Sequence, residues 1–189
     1  MDMMLDLETL ALSPKAVVTQ IGFALFDLEP SSGAIGGIIE RGCFFLNPED
    51  QINNFGREVN WSTVAWWLTQ EEAARKQMAE LGEFTRAVLE KFNIIFSSDI
   101  KNVWGNGSHF DIPIMESLLQ DFGFKTPWHY RAPKDCRTLA MLVPEDKKDL
   151  VQVKNPIKHS AMHDAIAQAK WMQNCYALVM GKEIPHANG

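Results

Sequence analysis

The chain has 189 residues, 46% of them hydrophobic and 22% charged, which suits one ordinary domain with a full core. Its net charge of −6 argues against a protein that coats nucleic acid through a basic surface, although it leaves room for one that grips phosphates through bound cations. No apolar run approaches the ~20 residues of a bilayer span and no leader pattern opens the chain, and the three scattered cysteines, Cys43, Cys136 and Cys175, fit reduced thiols of a cytoplasmic protein.

The first predicted element is a strand in "MMLDLETL" (residues 3–10), where two carboxylates interrupt an apolar run. Side chains two apart on a strand share a face, so Asp6 and Glu8 project side by side. An exposed edge strand would tolerate that pair. In a core strand their repulsion calls for something positive between them.

"AVVTQIGFALFDL" (16–28) is β-branched and aromatic and predicts a second strand. "SSGAIGG" (31–37) has turn chemistry and "IIERGCFFL" (38–46) predicts a third strand, completing an antiparallel meander. From "STVAWWL" (62–68) the pattern becomes helical. It continues through 71–96 with a break near Gly82. "KNVWGNG" (101–107) predicts a short strand entering a glycine turn. The following helix, 108–123, has Ser108 as its expected N-cap and Gly123 as its stop. A short helix is expected in 133–144 and a long one from Ser160 to Gly181, with a frayed tail over 182–189. Strands first, then helices around a further strand, indicate an α/β domain with a mixed central sheet flanked by helices.

Two more acidic positions stand at helix starts. Asp111 lies in a first turn directly after a strand, where the helix dipole alone would favour a carboxylate. Asp164 lies about one turn into the last helix, and His159 falls on the loop before it, free to swing toward the same pocket. His163 points along another face of that helix. Between Lys125 and Lys158 eight Lys/Arg face four acids, a candidate landing strip for a polyanion.

Taken together, "LDLETL", "GNGSHFDIPIM" and "HSAMHDAIAQA" spell D-x-E, then F-D, then H-x-x-x-x-D. This order resembles the DnaQ-like 3′→5′ exonucleases of the DEDDh type, on a ribonuclease H-like fold, over residues 1 to about 180. "STVAWWLTQEEAAR" (62–75) further resembles the phage branch containing exonuclease A and exodeoxyribonuclease VIII-like enzymes. One departure is that Asn106 stands five residues before Asp111, where the family often has an Asn four before.

The resemblance implies a single exonuclease domain over 1–181 that binds two divalent ions, Mg²⁺ or Mn²⁺, through Asp6, Glu8, Asp111 and Asp164. All-oxygen ligation suits such hard cations. It implies His159 as general base, with His163 its rival, acting on the 3′ ends of nucleic acid. Single-stranded DNA is the favoured substrate and RNA the alternative. Thr9 and Leu10 are expected to meet the terminal sugar and base, with Asn106 and His109 as further substrate contacts. Trp66 and Trp67 offer a stacking surface, although adjacent helical residues diverge by ~100° and one should enter the core. By analogy a homodimer is one option. Two other readings fit less well. A haloacid dehalogenase-type phosphatase would want Asp where Glu8 stands, and a non-catalytic binding module would lack one of the carboxylates or the histidine.

Overall fold

The computed structural model describes residues 1–29, 37–96 and 99–186. The expected turn over 31–37 therefore lies, except for Gly37, outside the described residues. Strands β1 (Asp2–Thr9), β2 (Val18–Phe26) and β3 (Ile38–Phe45) form the antiparallel meander. Strand β4 (Asn102–Gly105) adds to β1 in parallel and β5 (Pro133–Asp135) adds to β4, giving the order β3-β2-β1-β4-β5. The sheet is mixed, as expected.

Eight helices surround it among the described residues: α1 (Pro48–Phe55), α2 (Trp61–Leu68), α3 (Glu72–Met78), α4 (Thr85–Ile95), α5 (Asp111–Asp121), α6 (Cys136–Ala140), α7 (Lys148–Val151) and α8 (Ala161–Val179). Alternation along β1 divides its side chains between two cores. Met3, Leu5 and Leu7 join Val88, Phe92, Met115 and Leu118 on one face, where α4 and α5 lie. Met4 joins Phe26, Trp104, Ala165, Ala169 and Met172 on the other, beneath α8. Both faces of β1 and β2 are covered, so β2 is buried from end to end.

Several local expectations are corrected. Ser108 does not cap α5, because its amide and hydroxyl both turn to the Asp135 carboxylate at 3.0 and 3.3 Å. The helix begins three residues later, at Asp111, and ends before Gly123 as expected. Residues 133–135 pair as a strand before α6 starts. The stretch after α8 is not frayed as far as residue 186. The His186 amide donates to Asn174 Oδ1 at 3.0 Å, and its ring nitrogen Nε2 lies 2.7 Å from Gln173 Oε1. His186 is thus a partly buried anchor of the tail. No described helix is long and apolar enough to cross a membrane.

Candidate active site

The meander decides where the first two carboxylates go. Asp6 stands opposite Gly22 on β2 and Glu8 opposite Gln20, with both acids on the face that α8 covers. Gly22 is what lets the helix come down here. A Cβ at this position would lie 2.0 Å from the Ala161 carbonyl carbon, inside the first turn of α8. The helix presents Ala161, Ala165 and Ala169 to the sheet at four-residue intervals, so backbone meets backbone closely. The Ala161 amide also donates to Gln20 Oε1 at 3.3 Å.

This close seat carries Asp164 to the strand acids. Carboxylate oxygens of Asp6, Glu8 and Asp164 all lie within 4.8 Å of one another. Asp111 approaches from the other side. Pairing of β1 with β4 stops at Met4, and the Leu7 amide donates to Asp111 Oδ1 at 3.0 Å. The parallel β4 strand and its glycine turn thus deliver the first residue of α5 against β1.

The electrostatics follow from this crowding. Burial, and then the charges of Asp111, Glu8 and Asp164, push the Asp6 carboxyl well above its ordinary range. Glu8 is raised to about 8 by burial, then by Asp164 and Asp111. Burial also raises Asp111 to about 7, against the pull of the Leu7 amide and Arg137. Asp164 is raised by burial, against the Ser160 amide and His159. In each case the charged form lacks compensation that protein groups do not supply. An all-oxygen cluster short of positive charge fits a hard divalent cation.

Neighbours that the sequence reading did not single out orient these acids. Gln168 Nε2 donates to Asp6 at 2.8 Å, and Asn155 Nδ2 donates to Asp164 Oδ1 at 2.7 Å. The Ser160 amide donates to Asp164 Oδ2 at 3.1 Å. Gln168 lies four residues after Asp164 on α8, so helical spacing was a usable signal for it. Asn155 lies on a loop and carried none.

His159 occupies the residue before the Ser160 cap and has left-handed backbone, φ +58°. Its imidazole stands edge-on to Trp66, with ring centroids 4.8 Å apart at 81°. Ser160 takes the N-cap position, but its hydroxyl pairs with His163 Nδ1 at 2.9 Å instead of capping a helix amide. His163 thereby turns to a different flank of α8 from Asp164, lining a separate groove.

The tryptophans divide. Trp67 is 1% exposed and its Nε1 donates to the Thr9 carbonyl at 3.0 Å, so it cannot offer a face to a base. Trp66 is 43% exposed at the rim. Thr9 is buried and its hydroxyl donates to the Ala11 carbonyl at 2.7 Å. Leu10 remains half-exposed, and His109 is exposed. Asn106, Lys158, His159, Asp164, Gln168 and Trp171 line a cleft of about 310 Å³. Two buried polar atoms in this cleft, Gln168 Oε1 and Trp171 Nε1, have no hydrogen-bond partner among the described residues. Such atoms are the usual mark of a site that receives water or a polar ligand. The basic stretch 125–158 does not form one strip. Lys158 lines this cleft and Lys154 the groove beside it, whereas Lys134 folds back on the Arg131 carbonyl at 2.7 Å.

Comparison with known proteins agrees with this arrangement. A family model described as a 3′–5′ exoribonuclease Rv2179c-like domain matches residues 1–176. An exodeoxyribonuclease of Enterobacteria phage T4 is 25% identical over 212 residues, covering 96% of this chain and 92% of the phage protein. Exonuclease I of E. coli, solved with a dT13 oligonucleotide, superposes with a TM-score of 0.61 at 16% identity over 96% of this chain. The chain spans only 42% of that protein's length. Exonuclease X, solved with 5′-overhanging duplex DNA, matches with a TM-score of 0.59 at 15% identity, covering 97% of this chain and 95% of its own. The shared architecture is the expected ribonuclease H-like fold.

Proposed function

The chain belongs to the family of Rv2179c-like 3′–5′ exoribonuclease domains, and from that premise we propose that it shortens single-stranded nucleic acid from the 3′ end, releasing nucleoside 5′-monophosphates. The observation that carries this reading is the convergence of Asp6 and Glu8 oxygens of β1 with those of Asp164, in the first turn of α8 beside His159, within 4.8 Å. Asp6, Glu8, Asp111 and Asp164 would hold two divalent ions, Mg²⁺ or Mn²⁺. Ions bound there would neutralise the scissile phosphate and acidify an attacking water, stabilising both the entering and the leaving oxygen.

The chain's own residues do the rest. His159 takes the proton of the attacking water, the general-base role that an imidazole most often fills. Asn155 and the Ser160 amide hold the Asp164 carboxylate in one orientation, and Gln168 does the same for Asp6. Trp66, exposed beside the histidine, offers a π-face to the terminal base, and Leu10 a wedge beside it. His109 and Asn106 serve as outer contacts in this reading.

DNA is the favoured strand. The phage T4 relative is an exodeoxyribonuclease, and the wording of residues 62–75 resembles the same phage-type branch. RNA is the second reading, favoured by the description of the family model itself. Strands of identical base order, one ribose and one deoxyribose, each labelled at the 5′ end, separate the two. Faster laddering of the deoxyribose strand from its 3′ end is the expected result. A faster ribose strand would transfer the assignment to RNA.

A further inference from the structure

A second groove lies on the other flank of α8, and nothing in the catalytic reading uses it. Its volume is about 280 Å³, and Arg41 of β3, Lys154 of the loop before α8, and His163 and Lys170 of α8 line it. No carboxylate lines it. Arg41, Lys154 and Lys170 form no ion pair with any described residue. In a chain of net charge −6, three unpaired cations gathered from three segments around one concavity make a local field of the opposite sign. A solvated lysine face on one helix would need no such convergence.

The groove also adjoins the cleft. Val153 and Ala167 line both, and the consecutive residues His163 and Asp164 serve one each. Consecutive residues on a helix diverge by ~100°, so the two sites lie within one helix diameter of each other, ~10–12 Å. A stacked strand covers that in at most about three nucleotide steps of ~3.4 Å each. We infer that this groove is an accessory phosphate-binding site, which holds the backbone of the substrate strand a few nucleotides upstream of the scissile bond. The inference rests on the nuclease reading for its choice of ligand, and on the groove alone for its anion chemistry. It makes the substrate class a strand longer than a few nucleotides, gripped at two points.

The test compares the full chain with Arg41→Glu/Lys170→Glu and with the milder Arg41→Gln/Lys170→Gln, on a dinucleotide and on a long oligothymidylate, in Mn²⁺. The KM for the long strand should rise about tenfold with kcat kept, and the log–log salt slope should shrink by about 0.7 for each phosphate no longer gripped. Dinucleotide turnover should not change. Unchanged KM for both substrates would overturn the site. An equal rise for both would also overturn it, since the cations would then act on the catalytic cleft. Binding of fluorescein-labelled oligothymidylate in EDTA separates the two claims. If the wild-type chain degrades neither substrate but the variants still lose binding, the nuclease reading fails and the anion site stands. Competition by a nucleoside 5′-monophosphate that leaves strand binding intact, yet is itself lost in the variants, would make the groove a mononucleotide site and refute the strand assignment.

Discussion

The His159 imidazole rests edge-on against the Trp66 indole, 4.8 Å between centroids, on a backbone turned to φ +58°. Left-handed backbone is uncommon for a residue with a Cβ and is kept where surroundings enforce it. Here the enforcing contacts are the tryptophan rim on one side and the start of α8 on the other.

His159→Ala should therefore lower kcat by about 10²–10⁴-fold with metal affinity unchanged, measured by steady-state kinetics and calorimetry. His163→Ala, on the other flank, should change kcat on a dinucleotide little. The reverse pattern would make His163 the base.

Trp66→Ala should cost up to about 10²-fold in kcat, because a base misplaced by about 1 Å loses that much. Trp66→Phe should recover most of it by restoring an aromatic edge contact. If the alanine variant raises only KM, the indole stacks on substrate without positioning the histidine.

Gly22→Ala tests the seat of α8. Its methyl would meet Ala161 backbone at 2.0 Å, which no rotamer change relieves. Overpacking of this kind costs about 1–3 kcal/mol, which lowers Tm by about 2–4 °C per kcal/mol in a chain of this size. Activity should fall with it, since the displaced helix carries Asp164.

Stability without metal should depend on pH in a definite direction. Glu8 and Asp111 titrate near 8 and 7 in the folded chain, against ordinary values of 4.5 and 3.8. Between those values the folded state holds more protons than the unfolded one, so stability falls as pH rises. In EDTA the Tm should be higher at about pH 5 than at about pH 8. Mn²⁺ should raise Tm more at the higher pH, where the carboxylates are free of protons. A Tm that rises with pH in EDTA would contradict the crowded cluster.

The acidic positions were legible because their chemistry is improbable without a purpose: a D-x-E pair inside a buried strand must be compensated, and Asp111 and Asp164 stand where elements begin. The meander and α8 were legible from periodicity. Other features depended on partners remote in sequence. Ser108 looked like a cap until Asp135 claimed both its donors. Helix α1 went unread, although Asn47 caps it through the Glu49 amide at 2.8 Å and Gly56 closes it in left-handed backbone. Its eight residues carry only two large apolar side chains, Ile52 and Phe55, too few to read as a helix face. The division of labour between Trp66 and Trp67 was set by the Thr9 carbonyl, which strand geometry presents and sequence does not display.

The most direct measurement is digestion of a 5′-labelled single strand by the wild-type chain and by Asp6→Asn, each in Mn²⁺, in Mg²⁺ and in EDTA. The expected result is a ladder shortening from the 3′ end with either metal, absent in EDTA and absent in the variant, whose metal-free Tm is equal to or above the wild type. Intact strands under both metals with the wild-type chain, or wild-type laddering by Asp6→Asn, would contradict the assignment of this carboxylate cluster as the catalytic centre.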